Sequence, residues 1–230
     1  MKESENPLET NPTETTAEIA SIALQVIPVA GGILSSTAMF FLERQKNERL
    51  NRFLINLAED LKQLEDRVNS EFVKQEEFRD LTEDIFSKAS DTRQQEKLDA
   101  LRAVFLNSVL SANPKYNDIE EITTLLSNWQ SRHIILLKIL YDPIAADKRR
   151  GNVVGEGRGL STTIMDILRR LLPDWEEDEI SRTMQELHDK GLQQMTGLKT
   201  MITDKGIHQL KGRITPFGIK VAKYIMNPLV

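Results

Sequence analysis

The feature that most constrains this 230-residue chain is residues 19–42, a run of 24 positions without a charged side chain. At a rise of about 1.5 Å per residue, roughly 20 apolar residues cross the hydrocarbon core of a bilayer, so this run is long enough. Glutamates precede it, and four basic residues follow it: Arg44, Lys46, Arg49 and Arg52. A basic flank on the C-terminal side predicts that the rest of the chain lies in the cytoplasm.

The interior of the run is broken by helix-disrupting residues. Pro28, Gly31 and Gly32 divide it into two shorter apolar pieces, which predicts a glycine-broken helical hairpin within residues 17–42. Such a hairpin could pack on the protein's own bundle, lie in a membrane interface or insert only when triggered, and a constitutive single span of the bilayer also stays open. The residues expected to contact a membrane are Ile19, Ile22, Val26, Pro28, Gly31, Gly32, Ile33, Phe40 and Phe41.

Composition narrows the class of protein. Hydrophobic residues at 40% and charged residues at 28% are typical of a globular chain. The absence of cysteine excludes a disulfide scaffold, a thiolate zinc site and a cysteine nucleophile, and it fits a reducing cytoplasm. Residues 1–16 combine glutamates and prolines without apolar periodicity, which predicts a disordered acidic tail rather than a signal peptide.

Residues 43–128 are predicted to form an amphipathic helical bundle. A heptad seam recurs at alternating spacings of four and three: Leu50, Leu54, Leu57, Leu61, Leu64 and Val68. The seam is typical either of an intramolecular bundle helix or of a dimeric coiled coil, and both readings stay open. Cap signals predict where other helices begin or end: Thr92 with Gln95, Ser161, Asp174 with Glu177, and Gly191.

Residues 131–230 form a separate predicted module that includes a basic, glycine-rich stretch at 147–159. Its glycines do not match a phosphate loop or a dinucleotide fingerprint, because neither spacing occurs and no strand precedes them. The stretch is therefore predicted to be a linker. Its basic residues Lys148, Arg149 and Arg150 are candidates for contact with phosphates or anionic lipids.

The order of elements in this module resembles the winged helix-turn-helix superfamily. The resemblance is carried by ISRTMQELHDKGL at 180–192 and RITPFGIKVAKYI at 213–225, and it covers about residues 131–227. It implies an α+β module with a two-stranded wing near 192–195 and 208–215, and a third helix of the kind that reads DNA.

The charges of this module favour docking of a protein over reading of DNA. Residues 174–190 carry seven acidic and two basic side chains, whereas residues 191–230 carry six basic and one acidic. A duplex is bound by neutralising its phosphates, so the acidic helix would repel it and only the wing would attract it. The further candidate residues for nucleic-acid or anion contact are Arg182, Lys211 and Arg213.

No motif for catalysis is present. The three histidines lack an i, i+4 partner, and neither H-E-x-x-H nor G-x-S-x-G occurs. His133 is expected to pack or to cap its helix. We therefore expect no enzymatic activity, no cofactor and no metal.

The sequence as a whole predicts a mainly α protein with an N-terminal bundle and a winged-helix-like α+β module. The expected function is that of a non-catalytic membrane-associated interaction or effector protein, on the cytoplasmic side of the inner membrane or in the cytoplasm. The N-terminal arrangement loosely resembles membrane-disrupting effector proteins such as those of bacterial defence. Its C-terminal module would dock a partner or sense a signal, and the bundle would allow self-association. The alternative is a soluble DNA-binding transcription regulator with an N-terminal dimerisation domain.

Overall fold

A computed structural model describes residues 31–45, 48–149, 162–194, 197–199, 201–202 and 206–229. This part of the chain is mainly α-helical, as the sequence predicts. Its helices are α1 (Gly31–Gln45), α2 (Glu48–Gln63), α3 (Glu76–Asp91), α4 (Gln95–Leu110), α5 (Tyr116–Asn128), α6 (Ser131–Tyr141), α7 (Pro143–Arg149), α8 (Ile164–Leu171), α9 (Glu177–Asp189), α10 (Gly206–Lys211) and α11 (Pro216–Ile225). Two 3-10 turns, Glu65–Arg67 and Phe72–Lys74, link α2 to α3.

The chain divides into two compact units. Among the described residues, the first unit comprises 31–93 and 101–123, and the second comprises 94–100 and 124–228. The division therefore passes through α4 and α5 rather than through a loop.

The heptad seam of α2 forms the core of the first unit. Its first five leucines are at most 2% exposed: Leu50, Leu54, Leu57, Leu61 and Leu64. A seam buried within one chain is an intramolecular core, so it does not offer a surface for a coiled-coil dimer.

Five phenylalanines extend this core from α2 to α4. Successive ring centroids of Phe53, Phe86, Phe105, Phe78 and Phe72 lie 5.8–6.2 Å apart. Edge-to-face and stacked pairs at such distances contribute about 0.5–1.5 kcal/mol each beyond the burial of their area. Helix α1 packs beside this cluster on α3 and α2.

The second unit is built around α6, a helix that is apolar on nearly all sides. Ile134, Leu136, Leu137 and Leu140 are fully buried. Helices α7, α9, α10 and α11 all pack against α6. A helix without a polar face needs neighbours all round it, and this one has them.

Two glycines fix the chain between α9 and α11. Gly191 has φ +70°, the left-handed conformation that the sequence predicts after Lys190. At Gly218, a Cβ atom would lie 2.0 Å from the carbonyl oxygen of Leu192, so only glycine fits there. The hydroxyl of Thr215 donates to the carbonyl of Gly191 and accepts from the N–H of Gly218, which caps α11.

The prediction of a winged-helix α+β module is wrong. The described residues are almost entirely helical, and a helix, α10, occupies the first half of one predicted wing strand. Ile207 and Leu210 are spaced three apart and both buried, so a helix buries this segment's apolar residues on one face. In the ranges that the structure covers, extended pairing is limited to β1 (Thr162–Thr163) with β2 (Met201–Ile202), two residues each, and one bridge between Gln193 and Ile214.

Candidate functional site

Between Gly32 and Phe40, where the structure describes side-chain exposure, helix α1 has one buried face and one uncharged exposed face. Leu34 and Ala38 are fully buried, so these positions anchor the helix. On the other side, Gly32, Ser36 and Phe40 recur at every fourth position and are exposed. We call these three residues the α1 strip. The Phe40 side chain is 55% exposed, which is unusual for an aromatic residue in a helix that has a core to pack on.

The α1 strip forms one wall of a pocket against α3. The pocket has a volume of about 410 Å³, within the usual range for small-molecule sites. Among the described residues it is lined by Gly32, Ile33, Ser36, Thr37, Phe40, Arg79 and Glu83. Among the described residues, a Cβ atom at Gly32 would meet nothing within 4 Å, so none of them closes the pocket on that side.

The α3 wall of the pocket carries two opposite charges. Arg79 and Glu83 are one helical turn apart and both exposed. Among the residues that the structure describes, neither side chain forms an ion pair or a hydrogen bond. The pocket therefore presents a guanidinium and a carboxylate beside the apolar Ile33 and Phe40.

The structure places some of the predicted membrane residues and not others. Gly31 and Gly32 begin α1, Ile33 is half-buried and Phe40 is exposed. Ile19, Ile22, Val26 and Pro28 lie outside the described residues, as does the side chain of Phe41. Within the described ranges, no helix has both the length and the apolar character that crossing a membrane requires.

The predicted anion-contact residues lie on separate elements of the second unit. Lys148 and Arg149 are exposed at the end of α7, and Arg150 is outside the described residues. Arg182 is exposed on α9, and Lys211 is exposed at the end of α10. Arg213, between α10 and α11, is half-buried, and desolvation lowers its pKa.

A charged cluster that the sequence does not predict joins α6 to α9 in the second unit. Arg132 donates from Nη2 to both carboxylate oxygens of Glu186, at 3.0 and 2.9 Å. His133 Nδ1 accepts from the backbone N–H of Gln130 at 3.0 Å, and His133 Nε2 donates to Glu186 Oε2 at 2.5 Å. His133 thus also caps its own helix.

The environment of Glu186 favours its charged form. Desolvation raises the pKa of Glu186, but the side-chain hydrogen bonds from Arg132 and His133 and the positive charge of Arg132 outweigh it, so the pKa lies below its usual range. The ring of Trp129 stacks on His133 with centroids 5.8 Å apart. Because all three polar groups are engaged with one another, we interpret this cluster as a link between α6 and α9.

In the ranges that the structure covers, no group of three or more side chains is arranged to hold a metal ion. Comparisons of this chain with protein-family models, with curated proteins and with solved structures found no match. The α1 strip and its pocket are therefore interpreted from their own chemistry.

Proposed function

We propose that this protein is a non-catalytic membrane-associated interaction protein that contacts the cytoplasmic surface of a bilayer through the α1 strip. The observation that carries the proposal is the exposure of Phe40 on an uncharged helix face. This face belongs to the uncharged run at 19–42, so no charged side chain of the strip itself has to be desolvated when the strip meets lipid. An exposed aromatic side chain on such a face is typical of helices that lie in a membrane interface.

The first turns of α2 support this placement electrostatically. Arg49 and Arg52 are exposed just after α1, and each basic residue near an anionic bilayer contributes roughly 1 kcal/mol of attraction. Buried Leu34 and Ala38 hold α1 on its own unit, which agrees with contact at the surface rather than a span. The proposal thus selects the interfacial placement among those that the sequence leaves open.

The second unit would dock a protein partner in this proposal. The outer face of α9 and the segment before it carry acidic residues, of which Asp174, Glu176, Asp178 and Asp189 are exposed. Such a face attracts a partner with basic residues and repels nucleic-acid phosphates.

The test is flotation of the full chain with vesicles that contain neutral and anionic phospholipids. We expect the wild-type chain to float, and Phe40→Ser to weaken binding roughly tenfold because burial of an aromatic side chain is lost. The matched control is Met201→Ser, since Met201 is 68% exposed but lies in the second unit. It should bind as the wild type does.

Two results would contradict the proposal. One is a wild-type chain that stays with the soluble fraction at low and physiological salt. The other is equal weakening by Phe40→Ser and Met201→Ser, which would indicate non-specific adsorption of exposed apolar side chains. Circular dichroism of both variants checks that the helices are intact.

A further inference from the structure

We propose that the pocket between α1 and α3 binds the zwitterionic headgroup of a phospholipid, a phosphodiester linked to a primary ammonium as in phosphatidylethanolamine. This inference rests on the proposed function, because the strip that would touch the bilayer is also one wall of the pocket. It adds a specific site to what would otherwise be a general apolar contact.

The two charges on α3 match the two charges of such a headgroup. The guanidinium of Arg79 can donate two parallel hydrogen bonds to phosphate oxygens. The carboxylate of Glu83 lies one turn further along the helix and can accept from the ammonium. In phosphoethanolamine only two carbons separate the charged groups, so one headgroup can reach both side chains.

The opposite wall suits the uncharged part of the lipid. Ile33 and Phe40 offer apolar surface, and Ser36 offers a hydroxyl beside them. The Ser36 hydroxyl donates to the carbonyl of Ile33 at 3.1 Å and still has lone pairs to accept a hydrogen bond. Gly32 leaves the rim open, so acyl chains can leave the pocket toward the bilayer.

The pair of charges argues against simpler ligands. A purely anionic headgroup would be repelled by Glu83, and a purely cationic ligand would be repelled by Arg79. A zwitterion satisfies both side chains and leaves the net charge of the pocket unchanged. Lipids that carry phosphate without an ammonium should therefore bind less well here.

The experiment is calorimetric titration of the full chain with dihexanoyl phosphatidylethanolamine below its micelle concentration, and in parallel with dihexanoyl phosphatidylglycerol. We expect the ethanolamine lipid to bind the wild type more tightly. Arg79→Gln should weaken both lipids three- to tenfold. Glu83→Gln should weaken the ethanolamine lipid but strengthen the glycerol lipid, because the repulsion of phosphate is removed. Arg67→Gln and Glu59→Gln are the matched controls, since both residues are exposed in the same unit and do not line the pocket.

Three results would overturn the site. These are equal affinity for both lipids, equal effects of Arg79→Gln and Arg67→Gln, or an unchanged lipid preference in Glu83→Gln. Phosphoethanolamine without acyl chains is tested as a third ligand. If it binds the protein as tightly as the lipid does, the pocket binds a free phosphoester rather than a lipid. If the site fails while Phe40→Ser still weakens flotation and Met201→Ser does not, the proposed function stands. If Phe40→Ser has no effect on flotation, the proposed function itself fails.

Discussion

Helices α1 and α2 follow each other in the first unit and differ in what they present to their surroundings. Helix α2 buries its leucine seam and exposes charged residues, among them Arg49, Arg52 and Glu59. Helix α1 also has a buried face, but its exposed strip of Gly32, Ser36 and Phe40 contains no charge. The outer face of α2 carries charged side chains, whereas the α1 strip carries none. The contrast shows that a buried face alone does not explain why residues 19–42 lack charges.

The comparison predicts the largest stability difference for the same substitution in the two helices. Phe53 on α2 is 3% exposed and packs edge to face on Phe86 at 6.2 Å, so Phe53→Ala should lower the free energy of unfolding by about 3–5 kcal/mol. Phe40→Ala should change it by less than about 0.5 kcal/mol. Urea unfolding measures both values. If Phe40→Ala lowers the free energy of unfolding by more than about 2 kcal/mol, the contrast between α1 and α2 is wrong, because Phe40 would then be a core residue.

This difference could not be predicted from the sequence. The leucine seam of α2 stands out because charged residues alternate with it, and five of its six members are fully or almost fully buried. In α1 apolar residues occur on all sides, so periodicity gives no way to tell Leu34, which is buried, from Phe40, which is exposed. Only the position of α3 decides which face is covered.

Local cap signals predicted one helix boundary correctly and missed two others. Gly191 ends α9 as predicted, because its left-handed conformation suits glycine. Thr92, predicted to open α4, instead donates from its hydroxyl to the carbonyl of Lys88 and closes α3. Helix α9 begins after Glu176 rather than after Asp174. Hydroxyl and carboxylate side chains serve either end of a helix, so their presence does not fix a boundary.

The contacts that form the sites join residues far apart in the chain. Arg132 and His133 meet Glu186 across more than 50 positions, and Arg79 faces α1 only because α1 and α3 pack side by side. A single sequence contains no signal for such pairs. The winged-helix prediction failed in a related way, since the order of helices and turns fitted the family pattern while the segment at 206–211 was helical.

A second, smaller effect is a difference in acid sensitivity: we expect low pH to weaken a helix contact in the second unit but not the α1 contact in the first. Leu34 and Ala38 anchor α1 without ionisable groups, whereas Glu186 holds α6 and α9 together as a carboxylate. The pKa of Glu186 is depressed in the folded state, so its contribution is present above the unfolded pKa and is lost as pH falls through the folded value. Acid should therefore loosen the second unit while the α1 contact persists.

Tryptophan fluorescence measures this effect, because Trp129 and Trp175 both lie in the second unit. The wild type should show an acid transition in fluorescence that Glu186→Gln lacks. Glu71→Gln is the control, since Glu71 is exposed and pairs only with Lys74 in the part of the chain described. An identical acid transition in wild type and Glu186→Gln would show that the link from α6 to α9 does not depend on this carboxylate.

The most direct test of the central claim is whether the α1 strip itself enters the lipid interface. The chain has no cysteine, so Ser36→Cys and Lys190→Cys each give a single site for an environment-sensitive dye. Both positions are exposed, one on the strip and one at the end of α9. Addition of vesicles should shift the emission of the dye at position 36 to the blue and leave the dye at position 190 unchanged. Bound vesicles without a shift at position 36, or equal shifts at both positions, would contradict the claim.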